Sequence, residues 1–165
     1  MPDYKLLGMS NFIGEFDCKL DPKGRLMMPS GLRKQLEPAA QEKFVINRGF
    51  EKCLVLYPKN EWDGISAEVN KLNQFVRKNR EFIRYFYRGA TELLLDNTGR
   101  LLLPKRLAEY ADINKEIVLF AYSNRIEVWD KKTYENLLTD EPDDFARLAE
   151  EVMGGSNKQH DADVS

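Results

Sequence analysis

The chain has 165 residues, 42% apolar and 32% charged, with a formal net charge of −2. That length suffices for one substantial domain or for two small halves sharing a core, and no apolar run approaches the roughly 20 residues that span a bilayer, so the composition reads as a soluble protein without a membrane span. The charge is uneven: residues 139–165 hold eight acids against Arg147 and Lys158, a net of −6, which leaves +4 on the remainder.

In chain order, residues 1–10 form an N-terminal extension without the basic start and long apolar stretch of a secretory signal, and a cytoplasmic location is expected. From Phe12 to Leu20 the residues Phe12, Gly14, Phe16, Cys18 and Leu20 alternate with Ile13, Glu15, Asp17 and Lys19, the period-two pattern of a half-buried strand. Asp21-Pro22-Lys23-Gly24 then has the chemistry of a type I turn, and a second strand resumes at Arg25 or Leu26. Pro29 stops it, since proline donates no ladder hydrogen bond, and a short helix is expected at about Ser30–Leu36. Two strands follow, Phe44–Arg48 and Cys53–Tyr57. Trp62, Ile65, Val69 and Leu72 recur at helical spacing, and Phe82, Ile83 and Phe86 mark another helix; both stripes read as core or subunit interface rather than a ligand box.

At Leu95 the pattern begins again. Leu95-Asp96-Asn97-Thr98-Gly99-Arg100-Leu101-Leu102-Leu103-Pro104 repeats Leu20-Asp21-Pro22-Lys23-Gly24-Arg25-Leu26-Met27-Met28-Pro29 at a distance of 75, with the leucines, aspartate, glycine, arginine and proline retained. A helix at Lys105–Ala111 and strands Glu116–Ala121 and Arg125–Trp129 complete the second copy, and Tyr134 answers Trp62. The organisation read from this is an extension (1–10), a first repeat (11–58), connecting helices (59–89), a second repeat (90–138), and a C-terminal helix with an acidic, disordered tail (139–165). The final helix is centred on Phe145–Val152, and disorder is expected beyond Gly154-Gly155. Two copies make no solenoid. They point to an α+β fold of two halves about an approximate two-fold axis.

The chemistry sits at the repeated turns. Lys19, Lys23, Arg25, Arg33 and Lys34 face Asp21 alone in residues 19–34, a local surplus of +4 that phosphates could neutralise. Asp21 with Arg25, and Asp96 with Arg100, stand four apart across a turn. A carboxylate there can accept the turn N–H groups and a guanidinium, so Asp21, Gly24, Asp96 and Gly99 are assigned to turn structure. An arginine so held is well oriented to read guanine in a groove, which makes Arg25 and Arg100 candidates for DNA contact beside Lys19, Lys23 and Arg33. Asn97 and Thr98 leave the second turn less positive than Pro22 and Lys23 leave the first, and the first copy is expected to dominate binding.

Catalysis finds little support. Cys18 and Cys53 lie singly in apolar runs and read as buried free thiols, and His160 stands alone in the polar tail, so neither a zinc set nor a nucleophile–histidine pair is assembled. Asp140 and Glu141 are adjacent acids without a nucleophile or phosphate-cradling glycine loop. No enzyme activity, cofactor, metal or small-molecule substrate is expected.

The doubled L-D-x-x-G-R-L-x-x-P unit, Phe12-Ile13-Gly14-Glu15-Phe16, Leu54-Val55-Leu56-Tyr57-Pro58 with Trp62, Gly89-Ala90-Thr91-Glu92, and Arg125-Ile126-Glu127-Val128-Trp129-Asp130 resemble the MraZ family of bacterial regulators of the division and cell-wall gene cluster. The likeness runs from Asn11 to Leu138. It implies an AbrB-like fold and a ring of subunits that presents basic hairpin loops to short G-rich direct repeats in promoter DNA, with Asp21, Arg25, Asp96 and Arg100 at the positions of the family's D-x-x-x-R motif. A nucleoid-associated, repressor-type regulator bound to double-stranded DNA is the expectation. The alternative is a homo-oligomeric assembly or partner-binding module of the same fold without DNA.

Overall fold

The computed structural model describes residues 10–36, 43–138 and 141–162. The N-terminal extension up to residue 9, Asp140 and the last three residues of the tail lie outside them. The chain divides into two compact units, Met1–Lys131 and Lys132–Ser165.

The first unit holds both repeats. The first contributes β1 (Phe12–Lys19), β2 (Arg25–Met27), α1 (Ser30–Arg33), β3 (Lys43–Arg48) and β4 (Leu54–Pro58). After α2 (Lys59–Asn70) and α3 (Arg77–Tyr87), the second contributes β5 (Thr91–Leu94), β6 (Arg100–Leu102), α4 (Lys105–Tyr110), β7 (Glu116–Ser123) and β8 (Arg125–Asp130). The alternation in β1 is as expected, with Phe12 buried and Ile13, Glu15, Asp17 and Lys19 exposed. Pro29, Pro58 and Pro104 each stand immediately before a helix with φ between −55° and −60°, where a missing N–H costs nothing.

Six strands form one antiparallel sheet in the order β1-β7-β8-β4-β3-β5. Exchanging each strand for its counterpart in the other repeat reverses that order onto itself, so the pseudo-two-fold axis passes between β4 and β8. The fold is α+β with two pseudo-symmetric halves. What the sequence does not reveal is where the second strand of each unit goes. Each turn closes a hairpin of minimal length: between β1 and β2 the ladder is the single bridge Leu20↔Leu26. Beyond it β2 leaves β1 and pairs with β6 of the other repeat, Leu26 opposite Leu101, as a separate two-stranded sheet. β1 pairs with β7 over eight residues instead. The halves are therefore interlocked rather than side by side.

This crossing builds the core. Leu26, Leu32, Leu101 and Leu107 from the crossed strands and their short helices are buried against Phe44, Ile46, Leu54, Leu56, Ile117, Leu119, Ile126 and Val128 of the large sheet. A second cluster on the other side of β3 and β4 contains Val45, Val55, Tyr57 and Trp62, with Phe86 and Tyr87 packed on it. Trp62 stacks on Phe86 with centroids 5.4 Å apart and planes 2° from parallel, and Tyr87 meets it edge-on at 5.9 Å. The sequence reading of these stripes as packing residues holds for Trp62 and Phe86. Phe82 remains 40% exposed.

The second unit contains all but the first residue of α5 (Lys131–Leu137), and α6 (Pro142–Ala162). The backbone of α6 stays helical through Gly154-Gly155, where the sequence predicts the start of a disordered tail. Two glycines cost a helix about 1 kcal/mol each, which twelve preceding helical residues can carry.

Candidate nucleic-acid interface

The two repeated turns are brought together by the β2–β6 crossing. Met28 N–H donates to the Gly99 carbonyl at 2.9 Å, and Leu103 N–H donates to the Gly24 carbonyl at 3.1 Å. These bonds are each other's symmetry mates. Each strand thus leaves its own turn and is fastened to the other, so the turns are held by one framework.

Within the first turn, Asp21 Oδ1 accepts the N–H groups of Lys23 and Arg25, both at 2.9 Å, and its Oδ2 accepts Arg25 Nε–H at 2.7 Å. The expected clamp is present. Among the described residues the terminal guanidinium nitrogens of Arg25 have no other hydrogen bond or ion pair, and such a fork can meet two acceptors at once. The backbone N–H of Arg25, then its guanidinium and the N–H of Lys23, hold the Asp21 carboxyl below its ordinary value.

The second turn is built differently. Asp96 Oδ1 accepts the Thr98 N–H and hydroxyl and the Arg100 N–H, while Arg100 Nε–H donates to the Thr98 hydroxyl at 2.8 Å and stands 3.3 Å from Asp96 Oδ2. Arg100 Nη1 also lies 3.8 Å from Asp21 Oδ2, so one carboxylate faces the arginines of both copies. The Arg100 N–H, followed by the Thr98 hydroxyl, lowers the Asp96 carboxyl from 3.8 to about 2. A depressed carboxyl stabilises the fold above its unfolded value, and that contribution is lost as pH falls through the folded one. Titrating the Asp96 carboxyl carbon by NMR should therefore give a midpoint near 2; a midpoint at 3.8 or above would mean the clamp does not form.

Arg33 supplies what the second turn lacks. The side chain reaches from α1 across the pseudo-two-fold, so that a Cβ added to Gly99 would fall 2.5 Å from Arg33 Nη1. Gly99 is buried by it. In the second repeat the matching position is Ala108, too short to reach, and nothing lies within 4 Å of a Cβ placed on Gly24. Both glycines have positive φ, +82° and +84°, so alanine at either position costs roughly 1–2 kcal/mol of backbone strain. Only Gly99→Ala should also expel Arg33. The Arg33 Nε–H resonance should move in Gly99→Ala and stay in Gly24→Ala; no movement in either would refute the contact.

The remaining sequence candidates are placed less alike. Lys23 is exposed at the first turn tip. Lys19 lies exposed at the end of β1, directly opposite Glu116 in the register with β7. Lys115 was not a candidate, yet it adjoins the first turn: its carbonyl accepts Leu20 N–H at 2.8 Å, and it lines a depression with Asp21, Pro22 and Gly24. No local charge pattern could have found it, because the β1–β7 pairing places it there. Cys18 and Cys53 are free thiols pushed up by burial to about 11 and about 12, which fits packing residues rather than nucleophiles.

Comparison with known proteins follows the same two-copy division. Residues 11–85 and again 86–154 match the family described as "MraZ protein, putative antitoxin-like". The protein named Transcriptional regulator MraZ of Flavobacterium psychrophilum is 52% identical over 150 residues, covering 90% of this chain and 96% of that one. The protein of the same name from Christiangramia forsetii is also 52% identical over 150 residues, covering 90% and 97%. That of Cytophaga hutchinsonii is 38% identical over 151 residues, covering 92% and 100%. The match to residue 154 extends past Leu138, where the motif likeness ends, and so takes in the first half of α6. With both repeats matched in order over most of its length, the chain belongs to the MraZ family.

Proposed function

We propose that the chain is a transcriptional regulator that binds promoter DNA of the division and cell-wall gene cluster as a repressor, several copies in a ring presenting their paired turns to short direct repeats. The relatives' shared name supports the regulator class. The observation that carries the DNA reading is the joining of two arginine-bearing turns into one edge on which Lys23 and Arg33 are exposed and Arg25 and Arg100 half-buried, with Arg25 held by Asp21 and Arg33 laid on the second turn. Lys19, Lys23, Arg25, Arg33 and Arg100 are the proposed contacts, and Lys115 joins them. Asp21 and Asp96 orient the arginines. Gly24 and Gly99 permit the turns.

A single edge with a handful of cations binds weakly at physiological salt. Several edges on one oligomer, meeting tandem sites, gain effective concentration and raise affinity by a factor on the order of 10² or more. Arg33 narrows the difference between the turns, but Lys23 and the carboxylate-held fork still favour the first.

The test is binding to a cluster-promoter duplex and to a random duplex of equal length across a salt series. Tighter binding to the promoter and a steep fall with salt are expected. Equal binding to both would remove the sequence-specific reading, and no binding to either would leave the partner-binding module of the same fold.

A further inference from the structure

We infer that the outer face of the β2–β6 ribbon reads the 5-methyl group of thymine in the major groove, through Met27 and Leu102 set beside Arg25 and Arg100. This deepens the DNA reading proposed above and rests on it.

The ribbon has two faces. Residues directly opposite one another in an antiparallel pair share a face, and successive residues of a strand alternate between faces. Leu26 stands opposite Leu101 and both have no exposed surface, so theirs is the core side. The two other pairs, Arg25 with Leu102 and Met27 with Arg100, therefore share the outer side. There the arginines take one diagonal of a four-residue square and the apolar residues take the other.

Packing does not account for the apolar diagonal. Leu26 and Met28 on one strand, and Leu101 and Leu103 on the other, are buried in the core. Met27 and Leu102 between them are 50% and 55% exposed within the first unit. The solvated side of an antiparallel sheet ordinarily carries polar residues. Single exposed apolar side chains are common on any surface. Here, however, a large one recurs at the same place in both repeats, each time opposite the other repeat's arginine.

Charge and shape name the occupant. Asp21 Oδ2 lies 2.7 Å from Arg25 Nε and 3.8 Å from Arg100 Nη1, so one carboxylate draws both guanidinium groups to this face. Exposed Lys23 and Arg33 flank it with further positive charge, which suits a polyanion. The major groove admits a two-stranded ribbon; its floor offers guanine acceptors to a guanidinium fork and a single apolar feature, the thymine methyl. Side chains opposite one another on a ribbon start about 4.5–5.5 Å apart, and bases of one strand stack about 3.4 Å apart. An arginine on a guanine thus leaves its apolar partner within one or two base steps, where a thymine methyl is the group it can bury. The ribbon reads guanine and a nearby thymine together.

The test compares a cluster-promoter duplex with the same duplex carrying deoxyuridine for every thymidine, which removes the methyl groups and keeps every hydrogen-bonding group. Wild-type affinity should fall roughly fourfold for each methyl contacted. Met27→Ser with Leu102→Ser changes only exposed side chains, so its unfolding midpoint and assembled mass should stay close to those of wild type. It should bind the two duplexes alike while still preferring the promoter to random DNA. If wild type prefers the promoter yet binds the thymine and uracil duplexes equally, the inference falls and the DNA reading stands. If the double variant keeps the wild-type ratio between the two duplexes, the methyl groups act through duplex shape and the inference also falls. Wild type with no preference for the promoter over random DNA would overturn both.

Discussion

Arg25→Ala should lower affinity for promoter DNA by roughly tenfold to a hundredfold per turn lost, and Arg100→Ala by less. The difference follows from how the two guanidinium groups are held. Arg25 spends Nε on Asp21 at 2.7 Å and keeps its terminal fork, the geometry that reads two acceptors on one base edge. Arg100 spends Nε on the Thr98 hydroxyl and leans one terminal nitrogen toward Asp21, so its fork is partly turned inward. Arg25→Lys separates reading from charge. It should keep most of the salt dependence while losing preference for promoter over random DNA. Competition binding measures both, and an unchanged preference would mean that Arg25 contacts phosphate alone.

The largest effect on stability should come from Leu26→Ala. Leu26 is fully buried in β2, opposite Leu101 of β6, at the crossing on which both turns depend. Removing a buried leucine costs about 2–5 kcal/mol in transfer and cavity terms, a large share of a stability of about 5–15 kcal/mol. Leu101→Ala should cost about as much. The two share one cavity, so the double variant should depart from additivity. Urea unfolding provides the check: the midpoint should fall with an unchanged slope. A loss under about 1 kcal/mol would mean that the crossing is not the structural centre.

Much of this was legible in the residues. The alternation from Phe12 to Leu20, the Asp-to-Gly turns, the prolines before the helices and the spacing of 75 each act locally, so sequence alone gives strands, turns and two-fold organisation. The Asp21–Arg25 clamp was legible for the same reason, since four residues across a tight turn leave few alternatives. The partner of β2 was not. Leu26-Met27-Met28 can pair with the strand before its turn or with its copy, and the choice depends on burying Leu26 against Leu101, which no local pattern encodes. Arg33 over Gly99 and Lys115 beside the first turn are hidden for the same reason, being consequences of the crossing and of the β1–β7 pairing. The helical course of α6 past Gly154 departs from expectation because glycine weakens a helix without ending it.

The central claim is that the joined turns form the DNA-binding element. The most direct measurement is the affinity of the double variant Arg25→Ala with Arg100→Ala for promoter and random duplexes at one salt concentration, with its unfolding midpoint and assembled mass taken alongside. The account predicts wild-type fold and mass, with promoter binding reduced to the level of random DNA. Promoter binding equal to wild type in a folded, assembled double variant would contradict it.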